Sequence, residues 1–452
     1  MAANHTTITR APGRLPLLGH AWALRRDPYA FLRTLPAHGD LVEIGLGPAK
    51  VVVVCDTELT HTLLLDGKTY DKGGPLFDRL RDVIGDNIVT CPHSRHRAQR
   101  RLVQPAFTAA RLPGYAAAMS ARIDRHIDGW RDGESLDIQR ELLHLVSAVL
   151  VETMFSGALS ARDGQAAVQD VEELVTRLLR QTLLPRPLTS IPTPGNRRYQ
   201  RASTRLRTLF AQVIAERRAS GDERPDLLSA LLGAAADGVD ADGDDMAISN
   251  QLTTFFIAGT ESTASVLTWA LYLLSRHPRI ARHVHEEIDS VVGARAVRFE
   301  DLTRLRLTAH VITETLRLYP PTWLITRTLS TAARLGRHDL KAGTTVMFSP
   351  YLLHHRDNLY ERPEEFDPGR WDTATAPHLL RTAFFPFSAG ARRCVADKFV
   401  LAEMTLALAA ITSRWVMTPV PEGPVRPGAG QLLVRPHRLV MTATSRVPGS
   451  RR

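Results

Sequence analysis

Cysteine is scarce: Cys55, Cys91 and Cys394 are the only three in 452 residues. They are odd in number and far apart, which argues against a disulfide framework or a CxxC zinc site and fits a reducing compartment. Long apolar runs are missing too. No stretch reaches the ~18 uninterrupted apolar residues of a membrane span, and the polar start, Met1 to Arg10, lacks the apolar core of an export signal. No internal repeat or low-complexity tract occurs. The run Gly45-Leu46-Gly47-Pro48 does not open a helix in GxGxxG form, so no nicotinamide or flavin domain is indicated and electrons for redox chemistry must come from outside.

What is present suits a sizeable core: 44% of residues are hydrophobic and 23% charged, close to globular averages. At about 150 residues per domain the length suggests three domains, and one large domain remains open. With 57 basic and 47 acidic side chains the net charge is +10, which favours an anionic partner: nucleic acid, a membrane surface or an acidic protein. No nucleic-acid motif accompanies it.

Prolines 12 and 16 make Thr9 to His20 an extended lead-in, with the fold proper starting after it. Leu41 to Ile44 and Val51 to Val54 read as strands of a hairpin. From Ser94 to Ser290 apolar residues recur at helical spacing, with breaks that include Asp237 to Asp245. Four prolines between 185 and 194 predict a loop between two amphipathic helices. Asp245 to Arg276 reads as one helix of about 48 Å. A helix ends near Leu318, before Pro320 and Pro321, and Thr322 to Leu329 and Thr344 to Phe348 resemble short strands.

Several clusters carry chemistry. Cys394 lies just before a long apolar helix whose one central acid is Glu403, near Arg392 and Arg393. A helix dipole and two cations would favour thiolate there. Glu314 and Arg317 share a helix face at i, i+3. Gly259 and the polar run Thr260-Glu261-Ser262-Thr263 interrupt an apolar helix at a cost of ~1 kcal/mol for the glycine, which points to function. Ser262 can reach the Ala258 carbonyl and open the helix into a groove. His96, Arg97, Arg100 and Arg101 read equally as a solvated basic face or an anion site. His283 and His285, before Glu286 and Glu287, are expected to be exposed rather than metal-binding.

Phe387, Gly390, Arg392 and Cys394 form FxxGxRxC, which resembles the haem-binding loop of cytochrome P450 enzymes. Ala258 to Thr263, the ExxR pair, the later Phe366-x-Pro368-x-Arg370-Trp371 segment and the basic helix at 96 resemble further motifs of that family, in order along nearly the whole chain. The resemblance implies a mainly α fold with small β-sheets, a triangular prism formed by residues 1–452 as a single domain. It implies haem b (iron protoporphyrin IX) between the long central helix and the helix after the cysteine loop. Cys394 would ligate iron, Phe387 shield the sulfur, Gly390 permit the turn, and His96, Arg100, Arg327 and Arg392 bind propionates. Glu314, Arg317 and Arg370 would form a structural triad. Glu261 with Ser262 or Thr263 would carry protons in from solvent.

Two positions depart from the family pattern: Ser262 replaces a usual threonine, and Ala396 a usual glycine. If glycine is needed there for positive φ, alanine costs roughly 1 kcal/mol. The stretches at 71–90 and 317–323 resemble bacterial terpene oxygenases of the pentalenene oxygenase type. Phe77, Leu80, Phe255, Ala258, Trp323 and Leu324 would then line an apolar pocket. The implied activity is a cytoplasmic, monomeric monooxygenase fed by a ferredoxin and its reductase. Arg97, Arg101, Arg393 and Lys398 would form the docking face. Alternatives are a fatty-acid or polyketide hydroxylase, a peroxide-using haem-thiolate enzyme and, outside enzymes, a basic helical nucleic-acid binder.

Overall fold

The computed structural model describes residues 7–183, 186–236, 244–374, 376–420, 425–428, 433–436 and 438–446. Helices dominate. The longest, Asp245–Arg276, starts where the Asp244 carboxylate accepts from the Ala247 N–H at 2.6 Å and stops before Pro278. It is buried nearly all round, the mark of a core helix rather than a surface one. Helices Ile138–Phe155, Pro194–Ser220, Arg306–Leu318 and Asp397–Arg414 all pack against it. One apolar cluster joins Ile84 on one side to Ala443 on the other.

Eleven strands are described: β1 Thr9–Arg10, β2 Leu41–Leu46, β3 Ala49–Val54, β4 Tyr70–Asp71, β5 Glu134–Asp137, β6 Ile325–Leu329, β7 Ala333–Leu335, β8 His338–Leu340, β9 Thr345–Phe348, β10 Trp415–Pro419 and β11 Val440–Ser445. The main sheet runs β1-β2-β3-β9-β6-β4. Valine-rich β3 is central, paired with β2 (Leu41 opposite Val54) and with β9 (Val53 opposite Met347). The sheet's far edge matters for the site, because Asp71 lies opposite Thr328 and so brings Asp71 and Lys72 to the strand that carries Arg327.

Three sequence expectations change here. The lead-in belongs to the fold: β1 pairs in parallel with β2, and the buried His20 accepts from the Gly45 N–H through Nδ1 at 3.0 Å. Its Nε2–H then faces the Ala11 and Pro12 carbonyls at 3.2 Å. Gly19 has φ +62°, and a Cβ there would collide with the Gly45 carbonyl. The proline-rich stretch is largely helical, Arg186–Ser190 and then Pro194–Ser220, because Pro194 sits in a first turn capped by Thr193, where a missing N–H costs nothing. The strand expected from Thr322 begins only at Ile325, since 320–324 follow no regular structure. Most of the break expected at 237–245 lies outside the described residues.

Candidate functional site

Four segments meet around Cys394. Its own loop is held at both ends: the Phe385 N–H donates to His354 Nε2 at 3.0 Å, and the Cys394 N–H donates to the Phe387 carbonyl at 3.0 Å. Between them Gly390 takes φ +66°, where a Cβ would run into the Leu64 carbonyl. Only glycine fits that turn. Phe387 packs half-buried on the main core.

The charges near the sulfur differ from the sequence reading. Arg392 is turned away, donating to the Cys91 carbonyl at 2.9 Å and to Asp71 at 3.1 Å, while Arg393 pairs with Asp397 at 2.7 Å. Burial is what most shifts Cys394, pushing the thiol up. The Ala396 N–H, Arg100 and Lys72 pull it down, and Asp397 opposes them. Cys394 nevertheless keeps accessible surface.

Beside the thiol stands a cationic cluster. Arg327 and His96 are buried and Arg100 is half-buried. Lys72 is partly accessible, yet burial, Arg327 and Arg392 lower it to about 7. Burial and then Arg392 bring Arg327 down to about 10 and His96 to about 3. Arg100 donates to the Arg393 carbonyl at 2.6 Å, tying the basic helix His93–Val103 to the loop. Mutual repulsion among desolvated cations, relieved by Asp71, suits an anion with more than one carboxylate. The donor set therefore fits a haem: an accessible thiol with cations grouped to one side.

Lys72 and Asp71 were not read from sequence as part of this cluster. The signal available was a lysine directly after a two-residue strand, and it means nothing until the sheet pairs that strand with β6.

Ala396, at φ −100° and ψ 15°, carries no strain, so alanine is tolerated where glycine is usual. Further along this helix Glu403 is buried with neither carboxyl oxygen hydrogen-bonded, and burial alone pushes it to about 8.

On the long helix, Ser262 Oγ donates to the Ala258 carbonyl at 2.6 Å. Ala258 is exposed and Ser262 partly so, on a helix whose neighbouring positions are buried. The helix stays continuous, so the hydroxyl adds to the ladder and does not break it. Gly259 has a packing role: a Cβ there would press to 3.0 Å on Leu150 of helix Ile138–Phe155. Thr263 is fully buried, and its hydroxyl lacks a hydrogen-bond partner. Glu261 does not face solvent; it is 1% exposed, with Arg435 Nη1 3.3 Å from each carboxylate oxygen. Burial raises it, Arg435 lowers it and Glu172 adds repulsion.

The six pocket candidates do not share one apolar cluster. Phe255 and Leu80 belong to the main core, with Phe255 edge-on to Phe107 at 5.1 Å. Phe77 is buried, with the Lys72 ammonium 5.9 Å from its ring. Trp323 and Leu324 pack instead against the cluster around Leu32, Val42 and Met347, and Trp323 also meets Tyr29 of a second cluster edge-on at 5.7 Å.

Glu314, Arg317 and Arg370 do meet. Arg317 donates to both Glu314 oxygens at 2.7 and 2.9 Å, Arg370 Nε approaches at 3.3 Å and Trp371 Nε1 donates at 2.9 Å. Arg317 also holds the carbonyls of His354, Pro363 and Glu365. His283 is exposed but His285 is half-buried, lowered to about 4 by burial and Arg446. Glu287 instead caps the next helix, accepting from Leu307 and Thr308. Among the described residues no group of three or more potential ligands could hold a metal ion. No helix among them is long and apolar enough to cross a membrane.

A family profile described as cytochrome P450 matches residues 10–442. Pentalenene oxygenase of Streptomyces avermitilis is 40% identical over 451 residues, 99% of this chain and 100% of the relative. Cyclooctatin synthase of Streptomyces melanosporofaciens is 41% identical over 94% of this chain and 93% of its own length. Cyclooctat-9-en-7-ol 5-monooxygenase of the same organism is 41% identical over 92% and 90%. The crystal structure of the cytochrome P450DA heme domain superposes with a TM-score of 0.87, at 22% identity, over 99% of this chain and 100% of that one.

Proposed function

The chain belongs to the cytochrome P450 family, and from that premise we propose that it is a haem-thiolate monooxygenase that oxidises a terpenoid in secondary metabolism. The observation that carries the reading is the desolvated cationic cluster of Lys72, His96, Arg100 and Arg327 beside the accessible Cys394. In this reading Cys394 ligates the iron of haem b, and the cluster neutralises its propionates. When bound, haem supplies reductive activation of dioxygen, one atom entering a C–H bond and the other leaving as water.

The chain's own residues bind, orient and move protons. Glu314, Arg317 and Arg370 hold the backbone at 354 and 361–365, and the His354 ring in turn accepts from the Phe385 N–H at the start of the cysteine loop. Phe77, Leu80, Phe255 and Ala258 give the cleft an apolar lining, whereas Trp323 and Leu324 support it from outside. Ser262 presents a hydroxyl at the accessible turn of the long helix, with the Glu261 carboxyl behind it as the acid. Thr263, buried away from that turn, is the weaker candidate.

The named activities of the three Streptomyces relatives support a terpenoid substrate. The apolar cluster running through the chain supports a single domain. Exposed Arg97, Arg101, Arg393 and Lys398 around the cysteine loop support a ferredoxin, with its reductase, as electron source for a cytoplasmic monomer. The test is the optical spectrum of the reduced CO complex, with Cys394→Ser beside it. The wild type should give the red-shifted Soret band of a thiolate ligand and Cys394→Ser should not, whereas Cys55→Ser and Cys91→Ser should keep it. A thiolate spectrum surviving in Cys394→Ser would overturn the assignment. Terpenoid hydrocarbons should shift the haem spin state and yield product with reductant, and charged ligands should not. Turnover driven by peroxide alone would favour the peroxide-using alternative.

A further inference from the structure

The long helix carries a row of polar contacts beyond those at the Ser262 turn. Glu261, Ser265 and Trp269 follow at four-residue steps and so lie along one stripe of the helix. All three hold the short segment 433–436. Ser265 Oγ and Trp269 Nε1 donate to the Val434 carbonyl at 2.6 and 3.0 Å, and Arg435 Nη1 lies 3.3 Å from both Glu261 oxygens. The segment is tied on its other side as well: the Val434 N–H donates to the Pro321 carbonyl at 3.0 Å and the Gly428 N–H to the Arg435 carbonyl at 2.9 Å.

Glu261 and Ser262 are adjacent in sequence and therefore about 100° apart around the helix. The Glu261 carboxyl is aimed at the strap, while the Ser262 hydroxyl lies at the accessible turn. Among the described residues the charged groups that act on Glu261 are Arg435 and Glu172, the latter on helix Ala161–Leu183. We propose that Arg435 is a positioning residue for proton delivery, holding the Glu261 carboxylate on the strap side of the long helix until protonation weakens the ion pair and frees the acid to turn toward Ser262. The proton enters on a Glu261 oxygen and leaves toward the hydroxyl or a water beside it. Arg435 keeps its own charge throughout. This deepens the monooxygenase reading and rests on it for the destination of the proton.

The experiment uses the haem-loaded protein, Arg435→Gln and Arg435→Lys, each with and without Glu261→Gln. Infrared difference spectra of the resting protein at neutral pH come first. Arg435→Gln should gain a protonated-carboxyl C=O band that disappears in the double variant with Glu261→Gln, and Arg435→Lys should lack it. Coupling, meaning product formed per reductant consumed, is then followed against pH. Arg435→Gln should lose about a hundredfold, the low end of what a positioned proton donor contributes. Its pH profile should move to higher pH, Arg435→Lys should recover most of the loss, and neither change should matter once Glu261 is Gln. If Arg435→Gln lowers the melting temperature but moves neither the carbonyl band nor the pH profile, the strap is only structural and the proposal fails. Should no terpenoid be turned over by the wild type, the monooxygenase reading falls, while the infrared band still decides whether Arg435 governs Glu261.

Discussion

Glu403 gives the sharpest stability prediction, because its carboxyl is buried, lacks a hydrogen-bond partner and is pushed by burial from 4.5 to about 8. A folded-state value above the unfolded one means that the native protein holds a proton which the unfolded chain has released between those two values. Stability therefore falls as pH rises from about 4.5 to about 8, and flattens above. Each pH unit in the window costs about 1.4 kcal/mol. From pH 6 to pH 8 the accumulated loss is about 2 kcal/mol, allowing for partial titration near the upper end. Glu403→Gln keeps the shape and removes the proton equilibrium, so its stability should stay flat where the wild type declines. The assay is urea unfolding of both holoproteins at pH 6, 7 and 8, with the loss of the haem band as one probe and far-ultraviolet circular dichroism as the other. The stability difference, Gln minus Glu, should grow with pH. A constant difference, or one that shrinks, would mean that Glu403 is ionised in the fold and that an unseen partner compensates it.

Outcomes for four further variants follow from the site. Ser262→Ala should retain haem and substrate binding but divert reductant to hydrogen peroxide, whereas Thr263→Val should leave coupling unchanged. Because the Thr263 hydroxyl is buried without a partner, Thr263→Val should also stabilise the protein by up to about 1 kcal/mol in thermal unfolding. Lys72→Met removes one charge-assisted contact to a carboxylate, worth about 1.5 to 3 kcal/mol, and should speed haem transfer to an acceptor apoprotein at least tenfold. Lys398→Glu should slow reduction by an acidic ferredoxin at low ionic strength, and the deficit should vanish as salt screens the encounter.

The parts of this site that were legible in sequence are those whose partners are close along the chain. Arg317 finds Glu314 one helical turn away, and the cysteine loop closes on itself from Phe387 to Cys394. Asp245–Arg276 was readable because a continuous apolar helix needs only its own periodicity and a stop at Pro278. What stayed hidden depends on strand order. Arg392 looked like a neighbour of the thiol because it is two residues away. Its guanidinium is claimed by Asp71 and Cys91, some 300 residues earlier. Trp323 looked like pocket lining until Tyr29, from helix Pro28–Thr34, gave it an edge to pack on.

The polar run on the long helix shows why local chemistry alone could not finish the assignment. Thr253, Thr254, Thr260 and Thr268 all donate to the carbonyl four residues back, at 2.6 to 2.8 Å, just as Ser262 does. The bond that suggested a functional groove is thus the ordinary habit of a hydroxyl in a buried helix, where no water competes for it. Ser262 differs only in that its turn, with Ala258, keeps accessible surface while the four threonines are buried. That difference is made by neighbouring elements: helix Ile138–Phe155 closes over Gly259, the 433–436 strap closes over Glu261, and neither covers Ala258. What sets this turn apart is therefore what the fold leaves uncovered.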